Sequence, residues 1–160
     1  MHALCISNDF RVFPQGLCCA IVYYAPMKSS RFIHWRMPTI RKDGSTVHGW
    51  HVHPKHRDKL LLGRNTDIGF GTYIQAECGV EIGEAVQIGS HCAIYSVSTI
   101  DQKRGKVTIG NGAKLGTHSS VMPGVTIGAG AKLGAYSFVT KNIPAGAVAY
   151  GIPARVIRRK

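Results

Sequence analysis

The sequence predicts an all-β chain folded as a parallel β-helix, and three observations in residues 60–142 support this. An aliphatic residue recurs every six positions, with two breaks, and glycine usually follows it. A small or β-branched residue stands two positions before each aliphatic after Leu62. Short fixed repeats of this kind are typical of β-helices, because each repeat supplies one strand and one corner. The aliphatic positions are Leu62, Ile68, Ile74, Ile82, Ile88, Ile94, Ile100, Ile109, Leu115, Val121, Ile127, Leu133 and Val139.

Each triplet of small residue, any residue and aliphatic is predicted to be one strand of a triangular coil. Residues i and i+2 of a strand point to the same face, so both fixed positions face the interior. Three six-residue repeats complete a coil, and the repeat predicts about four coils. The step is broken after Ile74 and again after Ile100. A β-sandwich does not fit, since its hairpin turns would vary in length.

The flanking segments carry no six-residue repeat. Residues 1–59 are predicted to be an irregular N-terminal extension or cap, of which the first 26 to 36 residues are expected to be non-native or disordered. The apolar run 17–25 makes a poor signal peptide, because only Arg11 precedes it and Pro26 follows it. Trp50 and Val52 are expected to cover the first coil, whose open end needs a cap. Residues 143–160 form a C-terminal extension that ends in a basic tail.

The composition indicates which partners and which cellular location to expect. The chain of 160 residues has 20 Lys and Arg against 8 Asp and Glu, a net charge of +12, which favours anionic partners. It lacks the aromatic and basic arrays of RNA and single-strand binders, so we expect no nucleic acid. No stretch approaches the roughly 18 apolar residues of a membrane span. The five cysteines are odd in number and form no C-x-x-C, so we expect no disulfide framework and a reducing, cytoplasmic location.

Histidines are frequent in the N-terminal part, which raises the question of a metal site. A tract of this kind can bind a transition metal, although a solvated loop is the simpler interpretation. No Cys or carboxylate completes a set of ligands at the spacing of a tetrahedral zinc site, so no metal is expected. These histidines are His34, His48, His51, His53 and His56.

Three polar side chains at corners are the candidate catalytic residues. Glu77 lies in the first break of the repeat, and His91 and His118 each stand three residues after an aliphatic. Counting faces along the repeat predicts that Glu77 and His118 share one edge, two coils apart. The same count places His91 on the adjacent edge, in the coil between them. A histidine near an acid on a rigid scaffold can transfer protons, whereas a lone corner histidine is more often a surface residue.

The second break, after Ile100, contains a charged segment that should protrude from the coil. The sequence Asp-Gln-Lys-Arg-Gly-Lys follows Ile100 and gives three residues more than the regular step. It is interpreted either as a flap that closes on an anionic substrate or as a mobile surface loop.

Residues 60–158 resemble the hexapeptide-repeat acyltransferases. The resemblance rests on the repeat, on Met-Pro-Gly-Val-Thr-Ile-Gly at 122–128, and on the ending Val-Thr-Lys-Asn-Ile-Pro followed by Gly-Ile-Pro-Ala-Arg-Val-Ile. It implies a left-handed β-helix, a homotrimer with active sites between subunits, and acyl-coenzyme A along the C-terminal coils. It also implies that Glu77 occupies the place of an acceptor-binding acid in the galactoside acetyltransferases. The positions at which the family holds coenzyme A are Thr117, Ala135, Thr140, Lys141, Arg155 and Arg158.

One departure from the family pattern bears on the acceptor. Galactoside and maltose O-acetyltransferases carry a catalytic histidine just before the loop, but residues 97–101 read Val-Ser-Thr-Ile-Asp. The surrounding pattern is more similar to the N-acetyltransferases of nucleotide-linked amino sugars, of the dTDP-4-amino-4,6-dideoxyglucose type, which serve surface polysaccharide (lipopolysaccharide) biosynthesis. This resemblance implies acetyl transfer from acetyl-CoA to a sugar amine. His91 is the first candidate for the proton acceptor and His118 the second, with Glu77 positioning the acceptor.

Three other classes remain open on the sequence. One is an O-acetyltransferase that acts on a sugar or serine hydroxyl. Another is a metal lyase like the γ-class carbonic anhydrases, although His118 lacks the paired His-x4-His of that class. The third is a scaffold without catalytic activity.

Overall fold

A computed structural model describes residues 34–158, and these residues form a three-sided coil of short parallel strands. The strands are β1 (His51–Val52), β2 (Leu60–Leu62), β3 (Asp67–Ile68), β4 (Tyr73–Gln75), β5 (Val80–Ile82), β6 (Gln87–Ile88), β7 (Ala93–Tyr95), β8 (Val107–Ile109), β9 (Lys114–Leu115), β10 (Ser120–Val121), β11 (Thr126–Ile127), β12 (Lys132–Leu133), β13 (Phe138–Val139), β14 (Val148–Gly151) and β15 (Ala154–Arg158). A 3-10 helix, Pro54–Lys59, is the one helical element of the described residues. The predicted all-β class and the parallel β-helix are confirmed.

The strands stack into three sheets, one for each side of the coil. The first face consists of β1, β4, β7, β10 and β13, and the second of β2, β5, β8 and β11. The third face consists of β3, β6, β9, β12 and β14, to which β15 adds an antiparallel edge. Along the chain the three faces alternate, so each strand of a coil pairs with its counterpart in the next coil.

The interior is filled by the small and aliphatic positions of the repeat. Ile74, Ile94, Val121 and Val139 are register partners on successive strands of the first face, and each is fully buried. Burial of one such side chain stabilises the fold by about 1.5–3 kcal/mol, so stacked aliphatic columns supply most of the cohesion. Of the predicted aliphatics, Leu62 is half-buried and Ile100 lies outside the core, since 96% of its surface is exposed.

The coil has about five turns, one more than the repeat predicted. At the start, Val52 pairs with Ile74 and belongs to the first face, together with the buried Trp50. At the end, Ile143 bridges Ile127 and Ala149 pairs with Leu133. The six-residue step fails at both ends, because the 3-10 helix separates β1 from β2 and because alanine replaces the larger aliphatic in β14.

Glycine after the aliphatic allows neighbouring coils to approach closely. A Cβ atom on Gly89 would lie 2.5 Å from the amide nitrogen and 2.7 Å from the Cα of Thr117 in the next coil. No real side chain tolerates such contacts with a backbone. The glycine is therefore required by the spacing of the coils, which is set by the strand ladder.

The ends of the coil differ in character. At the C-terminal end, β14 and β15 form an antiparallel hairpin whose turn contains a cis Ile152–Pro153 peptide. At the N-terminal end, residues 34–50 form turns and bridges against the first coil. Most of the predicted N-terminal extension, residues 1–33, lies outside the described residues. The described residues include no helix long and apolar enough to cross a membrane.

Candidate active site

Four rings lie one above another at the corner between the third and first faces. We call this set, Phe70, His91, His118 and Tyr136, the ring column. The centroids of the His91 and His118 rings are 5.1 Å apart and those of His118 and Tyr136 are 4.8 Å apart, with interplanar angles of 12° and 10°. Phe70 meets His91 edge-on at 5.9 Å. All four side chains are exposed, so the column presents a row of rings to the solvent.

The local backbone aligns these rings. His91, His118 and Tyr136 each stand three residues after a buried aliphatic of the third face, and each has a positive φ of 56° or 57°. Their amide groups donate to carbonyl oxygens in the preceding coil, His91 to Phe70 at 2.9 Å and His118 to Ser90 at 3.0 Å. The left-handed conformation is uncommon for residues other than glycine, although histidine is enriched there. The coil thus repeats one unusual corner and places a ring on it in three successive coils. The first such corner has Gly71 at this position, with Phe70 one residue earlier.

His118 differs from His91 because a neighbouring side chain holds its ring. The Thr117 Oγ1 atom donates its single hydrogen to the Ser90 carbonyl oxygen at 2.7 Å. The same Oγ1 lies 2.9 Å from Nδ1 of His118 and can only accept there, so Nδ1 carries a hydrogen. The lone pair of the neutral ring is consequently on Nε2. A fixed tautomer with a free Nε2 is the arrangement that a general base requires.

The predicted grouping of the three catalytic candidates is wrong. His91 and His118 share one edge in adjacent coils, whereas Glu77 lies at a different corner, between the first and second faces. The cause is Ile100, which fits the six-residue step but lies in a loop and belongs to no face. The prediction counted Ile100 as a strand position, so it assigned every later residue to the next face along. It therefore assigned His118 to the same edge as Glu77.

Glu77 is the centre of a polar cluster made by its own chain. Its carboxylate forms an ion pair with Arg104, accepts a hydrogen bond from Gln75 Nε2 at 3.2 Å and lies 3.8 Å from His56 Nε2. Its carbonyl oxygen accepts a hydrogen bond from Lys59 Nζ at 2.9 Å. The hydrogen bond from Arg104 is the main cause that holds the pKa of Glu77 below its ordinary value. The cluster joins the 3-10 helix to the loop that contains Arg104.

The segment between β7 and β8 leaves the coil as a loop. Ile94 and Val121, which are register partners, are 27 residues apart in the chain, whereas Val121 and Val139 are 18 apart. The insertion is therefore nine residues rather than three. Val97 and Arg104 form an antiparallel bridge at its base. Asp101, 2.8 Å from Lys103 Nζ, has a pKa lowered to about 2, chiefly by the hydrogen bond from that lysine.

The positions expected to hold coenzyme A fall at three places in the chain. Thr117 and Ala135 occupy equivalent corner positions beside the ring column, in successive coils. Thr140 and Lys141 follow β13 at the corner between the first and second faces. Arg155 lies on β15 at the edge of the third face, and Arg158 is the last residue of that strand. Within one chain these residues do not form a single cluster.

The histidine-rich segment places two rings together. His53 and His56 stack with centroids 4.8 Å apart, beside Glu77. Between residues 34 and 158, no group of three or more His, Cys, Asp or Glu side chains has the arrangement of a metal site.

Sequence reasoning missed two rings and a pair of lysines. The signal for Phe70 and Tyr136 was present, since Ile-Gly-Phe-Gly, Ile-Gly-Ser-His, Leu-Gly-Thr-His and Leu-Gly-Ala-Tyr all begin with an aliphatic and glycine of the third face. Lys114 and Lys132 are register partners that project from the third face beside this corner. A shallow groove of about 350 Å³ crosses the third face from Asp67 on β3 to Lys132 on β12 and reaches Gly116, two residues before His118.

Comparison with known proteins finds that part of the coil is similar to the hexapeptide-repeat transferases. The family of bacterial transferase hexapeptide repeats (six repeats) matches residues 106–141. None of the curated proteins matches the chain. A structure of a galactoside acetyltransferase in complex with coenzyme A is 32% identical, with a TM-score of 0.62, and the match covers 70% of this chain and 62% of that one.

Two further structures are similar at lower identity. A maltose O-acetyltransferase from Clostridium difficile 630 is 28% identical with a TM-score of 0.61, over 69% of this chain and 63% of that one. A polySia-specific acetyltransferase is 29% identical with a TM-score of 0.56, and the match covers 62% of this chain and 48% of that one. The chain thus spans less than two thirds of the length of each of these three proteins.

Proposed function

We propose that this protein is an acetyltransferase that moves the acetyl group of acetyl-CoA to the amino group of a nucleotide-linked amino-deoxy sugar. The observation that carries the proposal is the oriented imidazole of His118 on an exposed edge of a rigid coil. The match to transferase hexapeptide repeats and the acetyltransferase neighbours support the reaction class. The coenzyme A in the structure of the galactoside enzyme supports the choice of acyl donor.

The proposed reaction is direct transfer within a ternary complex. The acceptor amine attacks the thioester carbonyl carbon, a C–N bond forms, and the C–S bond of the tetrahedral adduct breaks. Nε2 of His118 takes the proton that the nitrogen must lose, and the leaving thiolate takes up a proton in return. General base help of this kind is worth roughly 10²–10⁴-fold in rate.

Thr117 acts as a positioning residue in this proposal. Its hydroxyl accepts from Nδ1–H of His118 and thereby keeps the basic Nε2 facing outward. His91, stacked on the other side of His118, is the alternative proton acceptor, but no described side chain hydrogen-bonds its ring in the same way. We therefore place His118 ahead of His91 as the base.

Glu77 is proposed to act on the acceptor through the loop that it holds. Its carboxylate is already occupied by Arg104 and Gln75, so direct binding of a sugar would require the loop to move. The surrounding charges suit an acceptor that carries phosphate, since Arg104 and Lys59 are both cationic neighbours of Glu77.

We further propose the assembly and compartment that the family resemblance implies. The coil is left-handed, three copies form a homotrimer in the cytoplasm, and each active site combines residues of two subunits. Such a trimer would offer a way to bring together the coenzyme A positions that are dispersed within one chain. Light scattering of the purified protein tests the trimer directly, and a monomeric mass would remove this part of the proposal.

Acetylation of a hydroxyl group is the second candidate. Two observations favour it: a base oriented as His118 is oriented helps an alcohol more than an amine, and one neighbour is named a maltose O-acetyltransferase. Residues 97–101 contain no histidine where the resemblance to galactoside and maltose O-acetyltransferases implies one, which favours the amine.

An acceptor panel with acetyl-CoA tests both candidates. The panel contains dTDP- and UDP-linked amino sugars, the same sugars with hydroxyl in place of the amine, a galactoside, maltose and serine, with released thiol as the readout. Thiol release that depends on the amino sugar supports the proposal, and release only with hydroxyl acceptors replaces it by the second candidate. No release with any acceptor, together with no binding of acetyl-CoA, would favour a scaffold role.

A further inference from the structure

The third face carries a pair of like charges at neighbouring positions. Lys114 on β9 and Lys132 on β12 are register partners, and the following residues, Leu115 and Leu133, point into the core. Alternation along the strands therefore directs both lysines outward, on strands about 4.8 Å apart. Like charges directly opposite each other in a sheet are destabilising. The fold keeps this arrangement without gaining stability from it.

Neither ammonium group is neutralised by the part of the chain that is described. The ion pairs of other lysines are Lys103 with Asp101 and Lys106 with Glu81, and no described carboxylate pairs with Lys114 or Lys132. Asp67 lies in the same row, but two strands from Lys114, with Gln87 between them. At the other side, Lys132 is followed in the row by the uncharged Val148.

The two lysines border the groove that leads to the ring column. Gln87, Gly89 and Gly116 also line this groove, and Asp67 lines its far end, two strands from Lys114 and three from Lys132. The backbone amides of Gly89 and Gly116 are engaged in the strand ladder, donating to Leu115 and Leu133 carbonyl oxygens at 2.8 and 3.0 Å. The free donors in the groove are consequently side-chain groups, namely the two ammonium groups and the Gln87 amide. This donor set suits an anion rather than a neutral sugar.

We propose that this groove binds a diphosphate ester, with Lys114 and Lys132 each contacting one phosphoryl group. The inference rests on the proposed function, since acetyl-CoA and nucleotide-linked sugars both carry a diphosphate. Two cations on adjacent strands match the two linked phosphoryl groups of such an ester. The end of the groove at Gly116 then directs the rest of the ligand toward His118.

Direct binding of diphosphates to the full chain tests the inference. Inorganic pyrophosphate, dTDP and coenzyme A are titrated by calorimetry into the wild type, the double variant Lys114→Gln/Lys132→Gln, and Lys55→Gln as a matched control. Lys55 is an exposed lysine on the 3-10 helix, away from the third face. We expect the double variant to bind pyrophosphate about tenfold more weakly or worse, and the control to bind like the wild type. Higher salt should weaken the wild-type affinity.

The larger ligands identify the source of the diphosphate. A selective loss of dTDP affinity assigns the groove to the acceptor, and a selective loss of coenzyme A affinity assigns it to the donor. Unchanged pyrophosphate affinity in the double variant, or no pyrophosphate binding by the wild type, would overturn the inference. A loss of affinity that accompanies a smaller mass in light scattering would also overturn it, because the lysines would then serve assembly.

The thermal midpoint of each variant separates this result from unfolding. Removing two repelling charges should leave the midpoint of the ligand-free double variant unchanged or raise it. Added pyrophosphate should raise the midpoint of the wild type and not that of the double variant. Failure of the acetyl transfer assay would reject the proposed function without affecting these binding results.

Discussion

The imidazole rings of His91 and His118 lie face to face, 5.1 Å apart and 12° from parallel, although 27 residues separate them in the chain. The same corner of two successive coils carries both rings, and only one of them, His118, has a hydroxyl group against its Nδ1. The two stacked histidines therefore differ in their hydrogen bonding, and the first two predictions concern this difference.

Replacing His118 by alanine should lower kcat about 10²-fold or more, because the proton acceptor is lost. His91→Ala should have a smaller effect, since it removes a stacking partner rather than the base. The measurement is kcat and KM of both variants with the same acceptor. A larger loss in His91→Ala than in His118→Ala would restore His91 as the base.

Thr117→Val should reduce kcat about tenfold, because valine fills the same space but cannot accept from Nδ1–H of His118. Thr117→Ser is the matched control, since it keeps the hydroxyl group and should retain most of the activity. The family resemblance instead implies that Thr117 holds coenzyme A. A rise in KM for acetyl-CoA at unchanged kcat in the valine variant would therefore favour that role over positioning.

Gly89→Ala should lower the free energy of unfolding by about 2–3 kcal/mol, because its Cβ would collide with the backbone of Thr117. Gly130→Ala is the control for backbone strain alone. It has a φ of +66° and no atom within 4 Å of an added Cβ, so it should cost about 1 kcal/mol. Denaturant unfolding measures both, and equal losses would show that coil spacing does not require the glycine.

Acidification should release the loop between β7 and β8 by protonating Glu77. The folded-state pKa of Glu77 is lowered, so its pairing stabilises the fold above the unfolded pKa of about 4.3 and is lost as the pH falls through the lowered value. The Ser98 and Gly105 amides donate across the loop to the Lys103 and Ser96 carbonyl oxygens, and their hydrogen exchange should accelerate in that window. Glu77→Gln should show the fast exchange already at neutral pH, while Glu84→Gln, an exposed acid at another corner, should not. Slow exchange in Glu77→Gln would mean that the loop is held by other contacts.

The sequence specified the repeat well because interior positions must be small or aliphatic in every coil. Val80 and Ile82, or Ala131 and Leu133, could be assigned to the core from spacing alone. Ile100 could not be separated from these by spacing, since an exposed isoleucine six residues after Ile94 satisfies the same pattern. Whether a side chain is buried depends on the neighbouring coil, which the local sequence does not contain.

The site was less predictable than the core for the same reason. His118 and Thr117 could be proposed as functional residues from the sequence. Their hydrogen bond and the stack with His91 could not, because both depend on how coils of 20, 27 and 18 residues align. His91 and His118 each follow an aliphatic residue and a glycine, and matching these repeated segments would have placed both histidines on one edge. The pairing of Lys114 with Lys132 could be seen only from the register of β9 and β12 in the structure.

The antiparallel bridge between Val97 and Arg104 brings the two stems of the loop together where it departs from the coil. The nine additional residues therefore enter and leave at neighbouring points, and the strands on either side keep their partners. The loop can be replaced or lengthened without changing how the strands of the coil pair. The loop beside Glu77 can therefore change in length or sequence without moving the corner that carries His91 and His118.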